Sequence, residues 1–140
     1  KTLLQISKEQ DVRPLNIIPA KAEAKSEETQ MEIQGEIIDP KCYFGLMKPG
    51  FGKIHRSCAA LCISGGIPPV LVAMEQGVES YYLLTDEHGK AIHRAITPYL
   101  AQQVKLIGKT YQQGGWNYLS VKLSNISILG EESDFFSKEI

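Results

Sequence analysis

Met31-Glu32-Ile33-Gln34-Gly35-Glu36-Ile37-Ile38 is the stretch on which the fold turns. Met31, Ile33 and Ile37 alternate with Glu32, Gln34 and Glu36. That is the period of two expected of a half-buried strand, because successive side chains point to opposite faces. Gly35 stands where the apolar row should continue. A glycine there marks a strand that coils sharply or bulges.

Working outward, four more strands are predicted, at Val70–Met74, Ser80–Thr85, Gln103–Tyr111 and Trp116–Leu129. Asp86-Glu-His-Gly89 and Gln113-Gly114-Gly115 supply turns. In the last strand Leu119, Val121 and Leu123 share one parity while Ile126 and Ile128 share the other, so a bulge near Ser124-Asn125 is needed to restore the face. Ala91–Leu100 reads as a short helix that Pro98 ends early. His55–Ile63 has helix-compatible composition and stops at Ser64-Gly65-Gly66. No internal repeat interrupts the pattern. Five strands, an early glycine coil and bulged long strands predict a mainly β chain. Its architecture is a small five-stranded OB-like (oligonucleotide/oligosaccharide-binding) Greek-key barrel with one or two short helices, spanning residues 31–130.

Residues 1–30 read differently. Scattered apolar residues broken by Pro14 and Pro19 lead into the charged run Lys21–Gln30, which holds no large apolar side chain. Such a run buries little surface, so 1–30 is expected to be an arm or linker, or to pack Leu15–Ile18 along the domain as an edge segment. Residues 131–140 form a C-terminal tail. The first residue is Lys1, which raises the expectation of a preceding signal peptide or membrane anchor.

The chain has 140 residues, 43% hydrophobic and 22% charged, with a formal net charge of −1. One domain of ordinary composition suits these values and wholesale disorder does not. Near-neutral charge argues against binding nucleic acid by bulk electrostatics; Lys41, Lys48, Lys53, Arg56 and Lys105 would have to cluster to make a basic groove. No apolar run is long enough for a transmembrane segment.

Chemistry concentrates in Cys42 and in His55-Arg-Ser-Cys58-Ala-Ala-Leu-Cys62. On an α-helix starting at His55, that imidazole and the thiols of Cys58 and Cys62 fall within roughly 60° of one another. Cys42 follows the first strand on a loop long enough to fold back over them. Four such donors, Cys42, His55, Cys58 and Cys62, suit tetrahedral Zn²⁺, and fewer of them suit Cu⁺. Neither a zinc-finger nor an iron–sulfur spacing is present.

Three other readings stand beside the metal. Cys42 suits a disulfide with Cys58 or Cys62, leaving one free thiol; Cys58 and Cys62 within one helix are poor partners for each other. The cysteines also suit reduced packing residues on the core face of a short helix. Finally, His55 could activate Cys58 as a nucleophile, although no acidic group to orient the imidazole stands out, and no residue is assigned a catalytic role. His88 is expected to be solvated and His93 to be exposed or hydrogen-bonded. Tyr81, Tyr82, Tyr111, Trp116 and Tyr118 offer a stacking platform or, more simply, cross-strand core pairs.

Gly35-Glu-Ile-Ile-Asp-Pro-Lys-Cys-Tyr43, His55-x-x-Cys-Ala-x-x-Cys62 and Gly65-Gly-Ile-Pro68, followed by Tyr82-Leu-Leu84 and Val104-Lys-Leu-Ile-Gly108, resemble a recurring bacterial envelope module. The likeness covers roughly residues 31–129 and omits the arm. It implies an OB-like barrel in the periplasm or cell envelope, either exported or tethered to the membrane through a preceding segment, and implies no activity. Together the residues and the likeness point to an extracytoplasmic accessory binding domain, working with a protein partner or membrane-associated complex. Its Cys/His cluster would bind Zn or Cu or hold a redox-sensitive disulfide. The rival classes are a non-catalytic interaction module stapled by its cysteines and a thiol-dependent enzyme.

Overall fold

The computed structural model describes residues 23–45 and 48–130. Five strands, β1 (Thr29–Ile38), β2 (Val70–Glu75), β3 (Val78–Thr85), β4 (Gln103–Gln113) and β5 (Trp116–Ile128), close into a barrel in the order β1-β2-β3-β5-β4. All neighbours are antiparallel except β3 and β5, which run parallel through Leu83↔Tyr118, Leu84↔Leu119 and Thr85↔Ser120. That pairing closes the barrel and leaves no sheet edge along its wall. The expected five-stranded OB-like architecture is the one observed.

β1 is shared between two neighbours. Its N-terminal part pairs with β4 from Thr29 to Glu36, and its C-terminal part pairs with β2 from Gly35 to Ile38. Gly35 lies on both ladders. A Cβ there would overlap the Val72 carbonyl oxygen, with the Val72 carbonyl carbon at 2.9 Å and Ala73 Cα at 3.2 Å. The glycine read from the sequence is thus the point where β1 coils closely against β2. The late bulge is also present: Leu106 pairs with Ile126 and Gly108 with Val121, so residues 122–125 of β5 stand opposite Ile107 alone. Leu119, Val121 and Ile126 all reach the core as a result.

The core fills the barrel with Ile33, Ile37, Leu71, Leu84, Val104, Leu106 and Leu119. One end, where β1 and β3 finish and β2 and β4 begin, is covered by two segments. The first is helix α2 (Arg56–Ser64), which inserts Ala59 and Ile63. The second is the stretch between β3 and β4, which inserts Ile92, Ile96 and Leu100.

The helix expected at Ala91–Leu100 does not form. Only Ile96 N–H bonds four residues back, to Ile92 O; Thr97, Tyr99 and Leu100 bond three residues back, and Thr97–Tyr99 is a 3-10 turn. Pro98 lacks an N–H, and Ala101 takes a φ of +57° as its own N–H turns to Ile37 O. Burying three apolar side chains in the barrel mouth and bonding to β1 outweigh the weak propensity of a Pro-containing segment.

A second difference concerns β1 itself. Glu36 belongs to the polar row by sequence but is only 3% exposed. The loop after β1 folds over the outer face of β1 and β2, and Phe51 and Tyr43 pack on Ile38, Val70 and Val72. Glu36 Oε1 accepts the Gly52 N–H at 2.6 Å and so holds the loop down. Residues 23–28 of the expected arm lie against β4, where Ser26 and Gln112 exchange hydrogen bonds and Lys25 sits over the Tyr111 ring. Thr29 and Gln30, expected in the arm, already belong to β1, and residues 1–22, with the edge segment expected at Leu15–Ile18, and the tail 131–140 fall outside the described residues.

Candidate metal centre

Local sequence sets up the site at the covered end of the barrel. β1 ends at Ile38, and Asp39 caps the single-turn helix α1 (Pro40–Tyr43), its Oδ1 accepting the Lys41 N–H at 2.9 Å. Pro40 at the first helical position suits that start, since its missing N–H would have had no partner there. The cap sets the turn that carries Cys42, which is buried, toward α2.

α2 supplies two more thiols. Ala59 and Ile63 form its inward stripe; Cys58 and Cys62, one residue earlier in each case, lie about 100° round the helix and face the border with α1. Cys62 is further held by the helix end, where its carbonyl accepts the Gly65 and Ile67 N–H groups.

The three sulfurs converge, with Cys42 Sγ 3.9 Å from Cys58 Sγ and all three within 4.8 Å of one another. All three cysteines are free thiols. The Cys42–Cys58 separation is nearly twice the S–S bond length of about 2.05 Å. Sulfurs spaced 3.9–4.4 Å apart leave a centre roughly 2.4 Å from each, close to the Zn–S distance of about 2.3 Å. The trio is therefore a possible metal site without movement of the backbone.

His55 also lies beside Cys42. Lys53–His55 winds as a 3-10 turn and α2 starts at Arg56, with His55 as its N-cap. The imidazole groups with Asp39 and Cys42, the ligand atoms of these three also lying within 4.8 Å of one another. Cys42 belongs to both groups. Asp39 and His55 are both buried, and Asp39 Oδ2 and His55 Nε2 have no hydrogen-bond partner. Buried polar atoms in folded proteins are nearly always paired, so two orphans facing one cluster of thiols need an explanation.

The electrostatics agree with the crowding. Burial, reinforced by the Asp39 carboxylate and the Cys58 sulfur, pushes the Cys42 thiol up to about 12. Asp39, with burial behind it, pushes Cys62 up as well. Neighbouring negative charge and loss of water both disfavour a thiolate, and a bound cation reverses that preference.

Asp39 is the donor that sequence reading passed over. Asp-Pro reads as a helix start, and that role is real, but one carboxylate oxygen satisfies the cap and leaves the other for the cluster. The remaining candidates lie elsewhere. His88 is exposed beside Glu87. His93 is half-buried with Nδ1 unpartnered, neither exposed nor hydrogen-bonded as expected. The five aromatics form no common platform: Tyr82 is buried and donates to Glu75, Tyr81 donates to Glu79, Tyr111 and Tyr118 stack on each other, and Trp116 is exposed at the hairpin. Of the basic residues, Lys105 meets Glu32 and Arg56 donates to Pro98 O.

No helix among the described residues is long and apolar enough to cross a membrane. The chain matches no family model, no curated protein and no solved structure.

Proposed function

We propose that this domain is a thiolate metal-binding module, an accessory part of an extracytoplasmic, membrane-associated system, which holds Zn²⁺ or Cu⁺ at Cys42, Cys58 and Cys62. The observation that carries the reading is the convergence of three sulfurs within 4.8 Å beside the orphaned Asp39 Oδ2 and His55 Nε2. Three thiolates alone suit Cu⁺; a fourth donor from His55 or Asp39 makes the set suitable for Zn²⁺. Support for the envelope location and the membrane-associated partner is the likeness of the Cys/His pattern to bacterial envelope modules. The thiol-enzyme reading needs His55 to activate Cys58, whereas the imidazole groups with Asp39 and Cys42.

The test is elemental analysis of untagged protein purified without chelator, paired with a thiol count under denaturing, non-reducing conditions. At least one equivalent of Zn or Cu with three free thiols is the expected result. No metal with one free thiol would replace this reading by a disulfide staple. Three free thiols in a protein that takes up neither metal on reconstitution would overturn both.

A further inference from the structure

We propose that the cluster is a two-ion site in which the Cys42 thiolate bridges one cation held with Cys58 and Cys62 and a second held with Asp39 and His55. The inference rests on the metal-binding reading above and goes beyond it in the number of ions and in the role of Cys42.

Five donors meet at this end of the barrel, in two groups that share one member. A single four-coordinate ion takes three sulfurs and one further donor. If that donor is His55, Asp39 Oδ2 stays buried and unpaired. If it is Asp39, His55 Nε2 does. A three-coordinate Cu⁺ leaves both. Two ions leave neither, and each finds three protein donors already within 4.8 Å of one another.

Charge points the same way. Three thiolates and one carboxylate carry four negative charges in a region where Asp39, Cys42 and His55 are all buried. One divalent ion would leave two of them uncompensated in a low-dielectric setting, whereas two divalent ions balance the set. The donor types differ as well. The all-sulfur group is the softer, accepting Cu⁺ or Zn²⁺, and the carboxylate–thiolate–imidazole group is suited to Zn²⁺.

The experiment titrates Zn²⁺ into the reduced, metal-free chain and counts bound ions by native mass spectrometry, with the NMR resonances of the cadmium-loaded protein as a second count. Two ions and two distinct resonances are expected. Asp39→Asn keeps the helix cap, because asparagine caps as well as aspartate, and should bind one ion with all three thiols still protected from alkylation. His55→Asn should do the same, and Cys58→Ser should also fall to one. One ion in the wild-type chain overturns the bridge while leaving the single-ion reading intact. Zero ions overturns both. Two ions retained in both Asp39→Asn and His55→Asn would place the second ion elsewhere and equally overturn the proposal.

Discussion

Replacing Gly35 with alanine tests the geometry on which the site depends. The new Cβ would overlap the Val72 carbonyl oxygen and sit 2.9 Å from the Val72 carbonyl carbon, where carbon atoms ordinarily meet at about 3.5–4.0 Å. Neither neighbour can yield easily. Gly35 is paired with Ala73 on one side and Val104 on the other, and β1 joins β2 through only four register pairs, Gly35 to Ile38. Relief needs β2 to move away by roughly 0.5–1 Å, a strain of about 1–3 kcal/mol, with one or two ladder hydrogen bonds weakened at about 1 kcal/mol each. The lower chain entropy of alanine offsets about 0.4–1 kcal/mol. The net expectation is a loss of about 1–4.5 kcal/mol, read from urea denaturation of the reduced, metal-free protein. Gly130→Ala, where an added Cβ meets none of the described residues within 4 Å, serves as the control and should stay within about 0.5 kcal/mol of wild type. Because Asp39 and Cys42 directly follow β1, Gly35→Ala should also weaken metal binding. A Gly35→Ala protein as stable as the control would refute the close coiling of β1 on β2.

Two predictions concern pH. Burial raises the Glu36 carboxyl against the lowering effect of the Gly52 N–H. A carboxyl raised on folding contributes stability that is fully present below its unfolded value of about 4.3 and lost as pH climbs through the folded value. Glu36→Gln keeps an acceptor for Gly52 and removes the titration, so its stability relative to wild type should rise between pH 4 and 7; a constant difference by denaturation across that range would contradict the buried carboxyl. Metal affinity should climb with pH, because Cys42, held up to about 12, and Cys62, also raised, are protonated near neutrality and must lose their protons on binding. Three thiolates form on binding and each released proton gives a tenfold change per pH unit, so competition with a chromophoric chelator should show a gain approaching about 1,000-fold per unit between pH 6 and 8. A flat profile would mean the thiols are not the ligands.

Elements whose cause is local were legible in the order of residues. Alternation placed β1, the parity break in 119–128 demanded a bulge, Ser64-Gly65-Gly66 ended the helix, and the spacing of Cys58 and Cys62 put two thiols on one helical face. Each of these follows from backbone periodicity or from one residue's conformational preference. What required the tertiary structure was long-range. The parallel pairing of β3 with β5 joins segments more than thirty residues apart. The fate of Ala91–Leu100 was decided by the apolar opening it fills, and Glu36 became buried because a distant loop folded over it. The donor set changed for the same reason. Asp39, capping α1, comes within 4.8 Å of Cys42 and His55, a neighbour that spacing along the chain does not give. Spacing can place side chains on one helix, but only the packing of β1, α1 and α2 on a shared barrel end decides which donors face each other.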